Sequence, residues 1–281
     1  MTSTTFTLPV VLLAIAAASL APGHWSGEPE EILSTATPSR LSGPVAAGPG
    51  YVRLGLRNQS DSTMAYELVR LRPGVTPEAG MRAVRVIWRL EPGDTAQALG
   101  LLDSFHGGAV YVAPGETKYV ATTLDPGTYI AYADVITARG PVLHEGHIAP
   151  LLVRTAPRGA EAPAPRHTLR MLDFSFDGPR TVPAGRALWR VENHGQTAHL
   201  AFIARLLPGK SMADVEAEFA AGKPGIPAAV DARTNPVGVH ALTNGRWNDV
   251  ELELEPGEYV IGCVIDGHHL FGMLRALTVT P

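Results

Sequence analysis

Near the end of this 281-residue chain a thiol, an imidazole and a thioether fall within eleven residues: Cys263, His268 and Met273, spaced Cys-x4-His-x4-Met. Cys263 is the only cysteine. Thiolate and thioether are soft donors and imidazole is intermediate, so the set suits copper rather than magnesium or calcium. A type 1 copper site uses a cysteine and two histidines with a weak axial methionine, so one histidine must come from elsewhere. The segment Asn193-His194-Gly195-Gln196-Thr197-Ala198-His199 offers it, with His199 opening the apolar run Leu200 to Ile203. His269, beside His268, competes for the loop-histidine role.

The flanking residues read as strands. Glu251 to Leu254 alternates polar and apolar, Pro256-Gly257 turns, and Tyr259 to Val264 is β-rich, which puts Cys263 at a strand end. Asp266-Gly267 turns again, and Leu274 to Val279 is another β-rich run. Upstream, Leu169 to Phe176, Ala187 to Glu192, Leu200 to Leu207, Gly238 to Leu242 and Trp247 to Leu254 have strand character. Ser211 with Asp214 at the third helical position predicts a capped helix through Phe219, stopping at Gly222, and Lys223 to Thr234 reads as a loop. In the first half, Tyr51 to Arg57, Met64 to Arg70, Ala83 to Leu90, Ala109 to Val112, Thr117 to Thr122, Tyr129 to Val135 and Leu151 to Val153 read as strands, and Thr95 to Leu102 as a short helix.

The two halves repeat one pattern. Asn58 to Gly74 aligns without gaps on Asn193 to Gly209, and Leu124-Asp125-Pro126-Gly127-Thr128-Tyr129 aligns on Leu254-Glu255-Pro256-Gly257-Glu258-Tyr259. A repeat longer than a hundred residues means duplicated domains rather than a solenoid, and many short strands joined by Gly/Pro turns argue for β-sandwiches. In the first copy Met64 stands in the place of His199 and Ala133 in the place of Cys263. His144 and His147 remain in its last loop as a candidate for a second, harder metal site, against the plainer reading of polar loop residues.

The upstream Asn-x5-His, the Pro-Gly-x-Tyr before the cysteine, the Cys-x4-His-x4-Met loop and its closing Gly-Met together resemble the cupredoxins, the blue-copper family of plastocyanin and azurin. The resemblance covers about residues 42–281 and is clear in the second half. It implies an all-β chain of two tandem cupredoxin-like Greek-key β-sandwiches, with one type 1 copper held by His199, Cys263, His268 and Met273 in the second. An azurin-like loop length would select His269 in place of His268. The resemblance also implies that Asn193 braces the Cys263 loop through hydrogen bonds to its backbone. His240, on a predicted strand, is expected near the metal as a supporting residue.

The implied organisation is an apolar signal peptide or anchor over 1–23, a linker over 24–41 that packs poorly, a first domain over 42–155, a linker over 156–166 and a copper domain over 167–281. Phe6 to Leu20 is almost wholly apolar, which points to export into the periplasm or beyond, with membrane association through the N-terminus if it is retained; Met1 to Thr5 lacks the Lys or Arg of a standard signal. A net charge of -4 excludes a polybasic nucleic-acid binder as the default, and a lone cysteine excludes an internal disulfide. No open coordination position with an adjacent acid or base is legible. The expected role is therefore one-electron transfer with a redox partner protein. Copper storage or delivery to an acceptor and a non-catalytic interaction module are the alternatives. A nitrite reductase-like oxidoreductase would need a second copper held by further histidines, drawn from His144, His147 and His240.

Overall fold

A computed structural model describes residues 29–137, 139–156, 159–222, 227–231 and 237–281. The apolar segment expected over 1–23 and parts of the Lys223 to Thr234 loop lie outside them. Among the described residues no helix is long and apolar enough to cross a membrane.

Among the described residues the framework is all-β with three short α-helices, but the strands do not form two tandem Greek-key sandwiches. One eight-stranded sheet runs through both halves. Its order is Ser175–Asp177, His167–Leu172, Gly185–Asn193, Trp247–Leu254, then Thr117–Leu124, Gly50–Asn58, Glu30–Ala36 and Leu41–Ser42. The first four strands come from the second half and the last four from the first, so the halves share a sheet. Each half adds a five-stranded sheet of its own. In the second half the order is Thr181–Pro183, Leu274–Thr280, Gly257–Gly262, His199–Arg205 and Val237–Leu242. In the first it is Ala46–Ala47, Gly140–Val153, Gly127–Thr137, Met64–Leu71 and Leu102–Phe105.

The halves meet where Trp247–Leu254 lies antiparallel to Thr117–Leu124, in register at Asp249 and Ala121. Side chains reinforce that short pairing. Arg190 makes a two-pronged contact with the fully buried Asp249 at 2.7 and 2.8 Å, and Tyr51 from the first half donates its hydroxyl to the same carboxylate at 3.0 Å. Thr122 donates to the Trp247 carbonyl and Asn248 to that of His106. Buried polar groups partnered in this way avoid the penalty that would otherwise pull the seam apart.

Two local expectations are corrected. The residues 24–41 are not a loose arm where they are described: Glu30–Ala36 pairs in parallel with Gly50–Asn58, and Ile32, Ser34 and Ala36 all point inward. Alternate residues face the core, and a buried isoleucine contributes roughly 1.5–3 kcal/mol. Ala83 to Leu90 is not a strand but belongs to the helix Pro77–Ile87. Thr76 caps that helix by accepting from the Ala79 N–H, Pro77 pre-sets its first turn, and Gly80, Ala83 and Val84 form its buried face. The helices Thr95–Leu99 and Met212–Ala220 lie where expected; at the latter, the Asp214 carboxylate accepts from the Ser211 N–H at 2.8 Å.

The internal repeat is visible atom by atom. Asn58 donates to the carbonyls of Ser62 and Val112, and Asn193 donates to those of Thr197 and Leu242. Tyr129 bonds the Asp125 carbonyl and Tyr259 that of Glu255, both at 2.9 Å. Ala133 sits opposite Tyr66 across the strands of one half, and the register Phe202 to Gly262 sets Cys263 opposite Ala201, the counterpart of Tyr66, in the other. Ala133 and Met64 are fully buried apolar side chains.

Candidate metal centre

Three elements converge at one end of the second half. His199 is the first residue of the strand His199–Arg205, whose pairing with Val237–Leu242 shifts register just after it. Cys263 follows the strand Gly257–Gly262, and a 3-10 helix over Ile265–Phe271 carries His268. Gly272, with φ of 96°, turns the chain in the left-handed region where glycine is favoured. That turn lets the loop close on itself: Cys263 N–H donates to the Met273 carbonyl and Met273 N–H to the His268 carbonyl, both at 3.2 Å. The backbone thereby gathers Cys263, His268 and Met273, which the sequence spaces evenly.

The donor atoms meet. His199 Nδ1 lies 3.0 Å from His268 Nδ1, which lies 3.5 Å from Cys263 Sγ. One donor atom from each of His199, Cys263 and His268 falls within 4.8 Å of the others, and among the described residues this is the sole group of three or more such side chains. His199, Cys263 and Met273 are fully buried, and His268 is 7% exposed. Two imidazole nitrogens and a cysteine sulfur, with the buried Met273 tied by its backbone to both Cys263 and His268, form a donor set that fits a single copper ion and resembles a type 1 centre.

His269 points elsewhere. Its ring packs on Phe219 at 4.3 Å between centroids, so the loop presents His268 and not its neighbour to the cluster. Burial pushes the His269 pKa down, as does neighbouring His268. Among the described side chains, Asn193 makes its hydrogen bonds elsewhere than to the Cys263 loop. It fastens its own loop, through the Thr197 carbonyl at 2.8 Å and the Gly195 N–H at 2.8 Å, and ties it to Leu242 at 2.5 Å. His240 lies away from the cluster, at the junction of the halves, against Glu67 and Asp134. His144 and His147 pack edge to face at 5.6 Å, and the His147 Nε2 meets the Thr37 carbonyl at 2.8 Å. They gather no third donor of that kind among the described residues.

Three participants were not marked by sequence spacing. Asp173 reaches His199 Nε2 at 3.1 Å while accepting from the N–H groups of Gln196 and Thr197. The backbone bond from Gln196, then the one from His199 and more weakly that from Thr197, hold its pKa down at about 2. Burial pushes His199 down despite the pull of that carboxylate. Gly195 is the second: a β-carbon there would lie 2.5 Å from Asp173 Oδ1 and 2.6 Å from His199 Nε2. Phe174 is the third, held at φ of 61° in the hairpin turn, a backbone state that costs a non-glycine residue about 1–3 kcal/mol. Its ring meets the edge of His268 at 5.3 Å and also packs on Phe271. Leu270 and Phe271, 61% and 69% exposed, extend an apolar surface from that end.

No family model matches the chain, and no curated protein matches it. Among solved structures, reduced auracyanin from the photosynthetic bacterium Roseiflexus castenholzii is 24% identical over 41% of this chain and 95% of its own, with a TM-score of 0.30. Copper nitrite reductase from Nitrosomonas europaea is 13% identical over 90% of this chain and 94% of its own, at 0.27. Copper-containing nitrite reductase from Thermus scotoductus is 14% identical over 89% and 62%, at 0.25. These likenesses are loose, and the chemistry rests on the cluster's own atoms.

Proposed function

We propose that the second half holds one copper ion through His199 Nδ1, Cys263 Sγ and His268 Nδ1, with Met273 as the weaker fourth ligand, and that the protein is an exported one-electron carrier of cupredoxin type. The observation that carries this reading is the convergence of the buried His199, His268 and Cys263, whose donor atoms lie within 4.8 Å of one another. A bound copper ion would supply the Cu(II)/Cu(I) couple. The side chains supply what makes such a couple fast. Their rings and sulfur are fixed by loop hydrogen bonds and packing, so little rearrangement accompanies a change of charge, and burial keeps water off the ion.

His268 is the route for the electron. Its ring, 7% exposed, meets Phe174, which packs in turn on the exposed Phe271, so a redox partner seated on that apolar end approaches the ring without touching Cys263. Rigid, buried donors favour electron carriage over delivery of copper to an acceptor, which needs ligands that can be exchanged. Export rests on the apolar segment Phe6 to Leu20.

The test is copper reconstitution of reduced protein, read by visible absorption and electron paramagnetic resonance, beside Cys263→Ala. One copper per chain with an intense thiolate-to-copper band that disappears in Cys263→Ala is the expected result. A colourless protein that binds no copper would defeat the reading.

A further inference from the structure

The structure assigns to Asp173 the role of positioning residue for this site: its carboxylate sets the tautomer of His199, leaving Nδ1 free to donate, and favours Cu(II) over Cu(I). The second part rests on the copper reading above.

A neutral imidazole carries its proton on one nitrogen, and the partner of the outer nitrogen decides which. At His199 the outer nitrogen is Nε2, with Asp173 Oδ1 at 3.1 Å and Thr197 Oγ1 at 3.2 Å. A hydroxyl either donates or accepts, so Thr197 alone leaves the tautomer open. A carboxylate only accepts. Nε2 must then carry the proton, and Nδ1 turns its lone pair toward His268 and Cys263.

Asp173 cannot drift away. Oδ1 accepts from the N–H groups of Gln196 at 2.8 Å and Thr197 at 3.3 Å, and Oδ2 from that of Gln196 at 2.9 Å. Oδ1 also takes the Thr197 hydroxyl at 3.3 Å. The loop is shaped around this contact, since only a residue without a side chain fits at position 195 between Asp173 and His199. In the first half the aligned position is Ser60, and there Met64 replaces the histidine. A negative charge bonded to a ligand makes that ligand a stronger donor and stabilises the more highly charged ion. Asp173 therefore lowers the reduction potential of the site.

The experiment compares the wild type with Asp173→Asn, Asp173→Ala and Asp173→Glu. Nitrogen-15 spectra of the His199 ring, recorded without copper, should show the proton on Nε2 in the wild type and in Asp173→Glu. In Asp173→Asn the amide oxygen still accepts from the backbone and from Nε2, so the proton should stay there, whereas Asp173→Ala leaves only the Thr197 hydroxyl at Nε2 and should let part of the proton population move to Nδ1. With copper, Asp173→Asn and Asp173→Ala should lose roughly tenfold or more in Cu(II) affinity. Cu(I) affinity should change little, and tenfold selectivity corresponds to a rise of about 59 mV in potential. A tautomer unchanged in Asp173→Ala, or equal loss for both oxidation states in Asp173→Asn and Asp173→Ala, would overturn the assignment. Circular dichroism identifies a variant that has merely unfolded, and Asp173→Glu then decides by restoring both tautomer and potential or failing to. Wild-type protein that binds no copper would overturn the copper half together with the reading it rests on, while the nitrogen spectra would still decide the tautomer.

Discussion

His240 of the second half meets the fully buried Glu67 of the first through Nδ1 at the junction of the halves, with the buried Asp134 3.6 Å from the far ring nitrogen. The imidazole stands between two buried carboxylates and serves as their cation. Burial alone would lower the His240 pKa, but Glu67 and Asp134 outweigh it and raise it from 6.5 to about 10. A group whose pKa is raised on folding contributes stability that is complete below its unfolded value and is lost as pH climbs to the folded one. The wild type should therefore lose stability between about pH 6.5 and pH 10. His240→Gln should flatten that loss and, by leaving two buried carboxylates without their cation, cost about 3–5 kcal/mol. Denaturant unfolding at several pH values checks both; a variant as stable as the wild type at pH 7 would refute the pairing's importance.

That pair also shows where reading residues in order stops. Cys263, His268 and His199, which the fold brings together, are legible because a lone cysteine in an even Cys-x4-His-x4-Met loop has few roles besides metal ligation, and the repeat marks which half lacks the set. Glu67 and Asp134 are far from His240 in sequence, and only the folded seam brings them together. The shared sheet was hidden for a similar reason: strand patterns give alternation, which says which face is buried, but the partner across an edge is set by the whole fold. Ile32 was legible as apolar, yet the surrounding Glu, Ser, Thr and Pro obscured its strand. The Val-rich run Ala83 to Ile87 has the β-branched content of a strand, but the Thr76-Pro77 helix start upstream decides its conformation.

Asn58 and Asn193 make the same three contacts in their two loops, but only one loop carries His199. Replacing either by alanine strands two carbonyls and an N–H in a buried setting, at a cost of about 1–3 kcal/mol. Asn58→Ala and Asn193→Ala should thus lower the unfolding midpoint by similar amounts. Only Asn193→Ala should alter the copper absorption and potential, since only there does the loosened loop hold a ligand. An equal spectral change in both variants would break the argument.

Gly195→Ser imports the residue that the first half uses at the aligned position. Ser60 is tolerated there, its hydroxyl donating to Asn58 Oδ1 at 2.7 Å. At 195 the added β-carbon collides with Asp173 and His199. Accommodating it should cost about 1–3 kcal/mol. The expected outcome is a folded protein whose copper affinity drops and whose spectrum broadens, measured by titration and paramagnetic resonance. Wild-type affinity and line shape would show that the loop yields without moving His199.

The two adjacent histidines give the sharpest separation. His268 Nδ1 lies 3.0 Å from His199 Nδ1 and 3.5 Å from Cys263 Sγ, whereas the His269 ring packs on Phe219. On a 3-10 helix successive residues point about 120° apart, so one of the pair faces the cluster and the other must face away. His268→Ala should abolish the thiolate-to-copper band or shift it strongly, and exogenous imidazole should restore part of it by entering the space left open beside Phe174. His269→Ala should keep the band and lose stability instead, by about 0.5–1.5 kcal/mol from the forfeited ring packing on Phe219. Paired absorption spectra and unfolding curves settle it. A retained band in His268→Ala with its loss in His269→Ala would mean that the loop presents the other histidine to the metal.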